Sequence, residues 1–199
     1  DGTKPLAPGH YFARLSQRFL NAITAQTPEG QLYDMDMRLR PSGNAGPIAS
    51  HIDAFLRYQA DEAWTWEHMA LTRARVIAGP AALRALVDAA LGETLTRPRD
   101  AGTLLTDVAG MRARMDSEHH TDLIWEVKHL RGGLVDVEFI TQYLELKHAH
   151  AHPEILSPNT RTALRRLRDT GLLGGPVADD LIEGLLAGLT RVLAHKHPA

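Results

Sequence analysis

The sequence predicts an α+β chain that is mostly helical, and three observations carry that expectation. A helical run, a turn and an alternating run follow one another near the start. The alternating run, Tyr33 to Arg38, puts Tyr33, Met35 and Met37 on one side and Asp34, Asp36 and Arg38 on the other, as in a strand with one apolar face. From Pro80 onward nearly every apolar pattern repeats at helical spacing.

Taken in order, residues 1 to 9 hold two prolines and two glycines and read as a loop. Phe12, Leu15, Phe19 and Ile23 predict a helix from about His10 to about Ala25, ended by the turn Thr27-Pro28-Glu29-Gly30. The Tyr33 strand stops at Pro41, and Ser42-Gly43-Asn44-Ala45-Gly46-Pro47 is a loop of turn formers. Ile48 and Ala49 could form a short strand. Ser50 would then cap a helix containing Ile52, Phe55 and Tyr58. Asp61 to Ile77 has acids in its first turn, bases in its last and Gly79-Pro80 beyond it, so it reads as one helix. Further helices are expected at Ala81 to Leu91 and at Thr103 to about Ser117, the second with Leu104, Val108, Met111 and Met115 on one side. His119 to Asp122 reads as a loop and Ile124 to Lys128 as a strand. A helix through Leu144 and Leu146 to His148 follows, then one at Thr160 to Thr170 stopped by Gly171. The last runs from about Val177 to Ala194, with Ile182, Leu185, Leu189 and Leu193 along one stripe.

Composition narrows the function classes. The 199 residues and 44% hydrophobic content suit one large or two small globular domains. With 22 Lys+Arg against 24 Asp+Glu there is no global positive field to gather nucleic acid or an anionic membrane, so any phosphate site must be local. The absence of cysteine excludes disulfides, thiolate catalysis and cysteine zinc sites, and fits a cytoplasmic location. No apolar run is long enough for a membrane span and the polar start is no signal peptide; Asp1 in place of methionine suggests an excised piece. There is no internal repeat, P-loop, dinucleotide fingerprint or nucleophile elbow.

Two stretches carry candidate chemistry. In the first, a carboxylate, Asp36, precedes Arg38 and Arg40 at a strand exit. Oxygen ligands suit magnesium and planar guanidinium forks suit phosphate, although an acid and an arginine paired on a sheet edge would read the same way. Arg73 falls in line with Trp66, Met69 or Ala70, and Ile77, where it would meet either a buried carboxylate or a phosphate. In the second, Gly132-Gly133 stands at a helix start beside Lys128 and Arg131, where free amides and the helix dipole favour an anion. Asp136 and Glu138 lie about 200° apart around that helix and cannot share one ligand; Glu138 is the one expected to point inward. His148, His150 and His152 run into Pro153 with no acid or third ligand fixed nearby, and read as a solvated helix end.

The wording YDMDMRLRPSGNAGP, AFLRYQADEAWTWEHMALTRARVIAG and RGGLVDVEFITQYLELKHAH resembles the glutamine synthetase adenylyltransferases over nearly the whole chain. The similarity is to their C-terminal, adenylylating half; the other half carries an Arg-Glu pair where Val135-Asp136 stands here. This resemblance implies that residues 1–79 are the later part of a polymerase-beta-like nucleotidyltransferase domain. It implies that residues 80–199 are an all-α bundle related to that of PII uridylyltransferases. It further implies magnesium and ATP, with Asp36 as the third of three metal-holding carboxylates, the closely spaced first two lying upstream of Asp1. Arg38, Arg40, Arg73, Lys128 and Arg131 become phosphate candidates, and Gly132, Gly133, Asp136 and Glu138 the helical domain's part of the cleft. Expected partners are glutamine synthetase, as the tyrosine-bearing substrate, and the PII signalling protein. The other possibility is a helical regulatory module that binds glutamine synthetase or PII and catalyses nothing.

Overall fold

The computed structural model describes residues 6–31, 33–119 and 126–196, with side chains to Arg191. The described residues are mostly helical: eight α-helices and two two-residue strands. They fall into two compact units, 1–63 and 64–199.

In the first unit, α1 (Pro8–Ile23) begins two residues earlier than expected, because proline is at home in a first helical turn, where no amide partner is needed. Its apolar stripe is not covered: Tyr11, Phe12, Leu15 and Phe19 are exposed and no residue of α1 is buried. The Pro28–Glu29 turn joins β1 (Gln26–Thr27) to β2 (Gly30–Gln31) as a small antiparallel hairpin, with Gly30 at a φ of 103°. The strand expected from Tyr33 is not formed; residues 33–38 are coil. A strand needs a neighbour for its amides and carbonyls, and the hairpin is the only ladder among the described residues. Ile48–Ala49 likewise makes no strand. Helix α2 (Ile52–Asp61) is capped one residue later than expected, His51 Nδ1 accepting the Asp53 amide at 3.3 Å in place of Ser50.

The helix expected over Asp61 to Ile77 is broken. At Glu62 and Ala63 both amides turn back to the Tyr58 carbonyl, and the Glu67 carboxylate accepts the Trp64 amide at 2.8 Å, so a mid-helix acid starts a new helix, α3 (Thr65–Leu71). Thr72 then bonds back to the Met69 carbonyl through both its amide and its hydroxyl, and residues beyond Arg73 leave the helix. Met69 is buried in the second unit's core.

The second unit is a helical bundle around α6 (Leu134–His148). That helix has apolar residues on all sides and serves two cores. Leu146 packs with Met69, Leu95, Leu104 and Val108; Val137 packs with Leu164, Ile182 and Leu185. Around it stand α3, α5 (Ala101–Glu118), α7 (Thr160–Asp169) and α8 (Gly175–Lys196). Helix α4 (Ala81–Leu95) runs through Gly92, which has open space around it and does not stop the helix. Gly171, at a φ of 74°, does end α7. Residues 120–125 lie outside the described residues, and with them most of the expected His119 loop and Ile124 strand; Val127 to His129 form a turn, not a strand. Leu193 also carries no described side chain, and Leu189, expected on the same stripe, is exposed. No helix of the described residues is long and apolar enough to cross a membrane.

Candidate functional site

In the first unit the candidate residues sit on the coil 33–38 and the loop after it. Asp36 is exposed and ionised: bonds from the Arg38 side chain and amide lower its carboxyl to about 2. Arg38 donates through Nε and Nη2 to both carboxylate oxygens, at 2.9, 3.1 and 2.6 Å, and through its amide at 3.0 Å. Arg40 is used differently. Its guanidinium donates to the carbonyls of Met37 at 2.6 Å and Gly46 at 3.2 Å, so it staples the Pro41–Pro47 loop shut from inside. The loop needs its glycines for close approach: a Cβ on Gly46 would sit 1.9 Å from the Pro41 carbonyl oxygen.

In the second unit the candidates gather at the start of α6. Arg73 Nη1 meets Glu138 Oε2 at 2.8 Å. Asp136 takes the Arg112 Nε and Nη2 groups and the Gly132 amide. Side-chain exposure is 22% for Asp136 and 31% for Glu138, so Asp136 is the more enclosed acid, contrary to the expectation for Glu138. The reason is the partner: Arg112 projects from the packed face of α5 and closes over Asp136. Each of the two acids has its own arginine, Arg112 for Asp136 and Arg73 for Glu138. Arg131 is 84% exposed and reaches Asp116 at 3.4 Å, and Lys128 is exposed.

The helix start does not present the free amides expected of it. Gly133 donates to Leu130, Leu134 to Val127, Val135 to Lys128, and Gly132 to Asp136. The glycine pair is explained by the turn itself. Gly132 has a φ of 77°, and a Cβ on Gly133 would lie 2.3 Å from the Val127 carbonyl oxygen and 2.7 Å from that of Leu130. Beside the turn lies a pocket of about 250 Å³, lined by Arg131, Gly132, Gly133, Leu134, Gly188 and Arg191 among others.

Arg112 and Arg191 were not among the residues singled out by sequence. Arg112 had a usable signal: it follows Val108 by four residues on the Leu104, Val108, Met111, Met115 stripe, the same in-line placement that marked Arg73.

Comparison with known proteins bears on what these residues belong to. The family profile for glutamate-ammonia ligase adenylyltransferase matches residues 1–90. A bifunctional glutamine synthetase adenylyltransferase/adenylyl-removing enzyme of Rhodopseudomonas palustris is 49% identical over 195 residues, 97% of this chain and 20% of the relative. The chain belongs to the glutamine synthetase adenylyltransferase family. Proteins of the same name from Bradyrhizobium sp. and Mesorhizobium japonicum are 51% identical over 92% of the chain and 54% identical over 71%. The chain spans about a fifth of the length of these adenylyltransferases, covering 20%, 18% and 14% of them.

Proposed function

We propose that this chain serves, within a longer protein, the transfer of AMP from ATP to a tyrosine of glutamine synthetase, and that the longer protein also removes the AMP. Similarity over nearly the whole chain to relatives named for both activities carries this reading. In this proposal the tyrosine hydroxyl attacks the α-phosphorus in line and pyrophosphate leaves. Residues 1–79 would be the later part of a nucleotidyltransferase domain, followed by a helical domain, working in the cytoplasm with the PII protein as a regulatory partner.

Magnesium, when bound, would screen the triphosphate and make the attacking hydroxyl more acidic. Asp36 has the chemistry of one ligand: an exposed carboxylate, ionised well below neutral pH. Both its oxygens are held by Arg38, so a cation must compete with that guanidinium, and success would leave Arg38 free for phosphate oxygens. Among the described residues no three His, Cys, Asp or Glu side chains are grouped to hold a metal, so the remaining ligands would be an acid pair elsewhere in the longer protein. Arg40 would stiffen the loop after Asp36, Lys128 and Arg131 would offer charge to the triphosphate, and Arg73 would act through Glu138.

The test is Asp36→Asn in the longer protein, expected to abolish AMP transfer with an unchanged melting temperature; near-normal transfer removes Asp36 from the metal site. The isolated 199 residues are expected to bind magnesium-ATP poorly and to transfer nothing. A second reading, a helical module that binds glutamine synthetase or PII without catalysis, is favoured by the internal pairing of Asp136 and Glu138 with arginines of the same unit. Normal transfer by an Asp36→Asn protein that still binds glutamine synthetase would select it.

A further inference from the structure

Three facts converge on the turn before α6. Arg112 of α5 closes on Asp136, whose side chain is 22% exposed against 17% for Arg112 itself. The same guanidinium donates to the His129 carbonyl at 3.2 Å and to Asp116 at 3.4 Å, and Asp116 in turn receives Arg131. Asp136 also accepts the Gly132 amide, which is held at a φ that only glycine adopts readily. A single arginine thus ties α5 to both ends of the segment His129–Asp136, and both carboxylate oxygens of Asp136 accept bonds from within the protein, Oδ1 from Arg112 and Oδ2 from Arg112 and the Gly132 amide.

We propose that Arg112 and Asp136 form a clasp that positions the Lys128–Gly133 turn, and that Arg112 is a positioning residue for the transfer reaction, with Asp136 acting through the turn and not as a ligand of metal or substrate. This rests on the function proposed above only for the reaction that the turn serves; the clasp itself is a property of the second unit. The turn carries the two cations, Lys128 and Arg131, whose reach depends on where its backbone is held.

The experiment compares Arg112→Ala, Arg112→Lys, Asp136→Asn and the double variant Arg112→Ala/Asp136→Asn in the longer protein. Peptide-resolved hydrogen exchange over residues 129–136 is expected to be at least tenfold faster in Arg112→Ala and in Asp136→Asn, with the rest of α6 protected as before. In transfer assays both single variants should raise the KM for ATP about tenfold, Arg112→Lys should recover part of it, and the double variant should be no worse than either single one. A merely structural role would lower the amount of folded protein without moving KM.

Unchanged exchange in Arg112→Ala overturns the clasp. So does abolished transfer in Asp136→Asn beside normal transfer in Arg112→Ala, which would make Asp136 a group that touches the substrate. Should Arg112→Ala not fold, Arg112→Lys and Asp136→Asn carry the same comparison. If the unaltered protein transfers no AMP at all, the function reading fails while exchange still decides the clasp. If it transfers and the two single effects add, only the clasp fails.

Discussion

Two acid–arginine pairs, one in each unit, look alike on paper and differ in what they can do. Asp36 and Arg38 are two residues apart on coil, with side chains 54% and 76% exposed. Asp136 and Arg112 are 24 apart, on two packed helices, at 22% and 17%. Water screens the first pair and can replace it at little cost, which leaves its carboxylate available to another cation. The second pair is partly withdrawn from water and shares its oxygens with a backbone amide, so losing either partner leaves a charge in a poor solvent. The same chemistry is therefore exchangeable in one place and architectural in the other, and the difference is made by what surrounds it.

Glu145 extends the comparison to a carboxylate deeper than either, 2% exposed, whose bond comes from the Ser157 amide at 2.9 Å and not from a guanidinium. Burial pushes its carboxyl up to about 8, against the bond from Ser157 and the charge of Arg166. Because the folded state keeps a proton that the unfolded state has released, stability should fall as pH rises from about 5 to 8 and level off above that. The loss should be about 2–4 kcal/mol, the largest effect expected here. Denaturant melts of Glu145→Gln should lack this slope and show a more stable protein at pH 8; an unaltered slope would assign it to another group.

Gly133→Ala should cost about 2–3 kcal/mol, since the added carbon meets two backbone carbonyls that cannot move aside cheaply. The loss should come with faster exchange at residues 129–136; an unperturbed melt would show that the turn is looser than the clasp requires. Asp136→Ala should cost about 1–3 kcal/mol in the same denaturant assay, with little dependence on salt. Arg38→Ala should leave the melting temperature where it was, and magnesium titration followed by the Asp36 carboxyl resonance should show tighter binding once the competing guanidinium is gone. A destabilised Arg38→Ala protein would erase the contrast between the two pairs.

Much of the second unit was legible because its helices are long and periodic. The Leu104–Met115 stripe, the α6 start at the glycine pair, and the stop at Gly171 are local events, set by residues within a turn or two of each other. The first unit was less legible. Tyr33 to Arg38 alternates as a strand should, yet alternation only describes which side chains could face a sheet, and among the described residues no ladder takes that segment up. The same holds for α1, whose apolar stripe was readable while its exposure was not. Asp61 to Ile77 failed for another reason: its acids and bases favour a helix, but Glu67 spends its carboxylate on the Trp64 amide and divides the run.

By itself the amino-acid sequence determined the predominance of helix, the family, the acid and arginines around residue 36, and the tight turn at Gly132-Gly133. Those follow from periodicity, from wording and from the conformational freedom of glycine, all of which act over short stretches of chain. Tertiary structure decided that Arg112 closes on Asp136, that Arg73 finds Glu138, that Glu145 is buried without an arginine bonded to it, and that the units part at residue 63. These depend on which helix faces packed together, and a charge's worth is set by the solvent that packing removes.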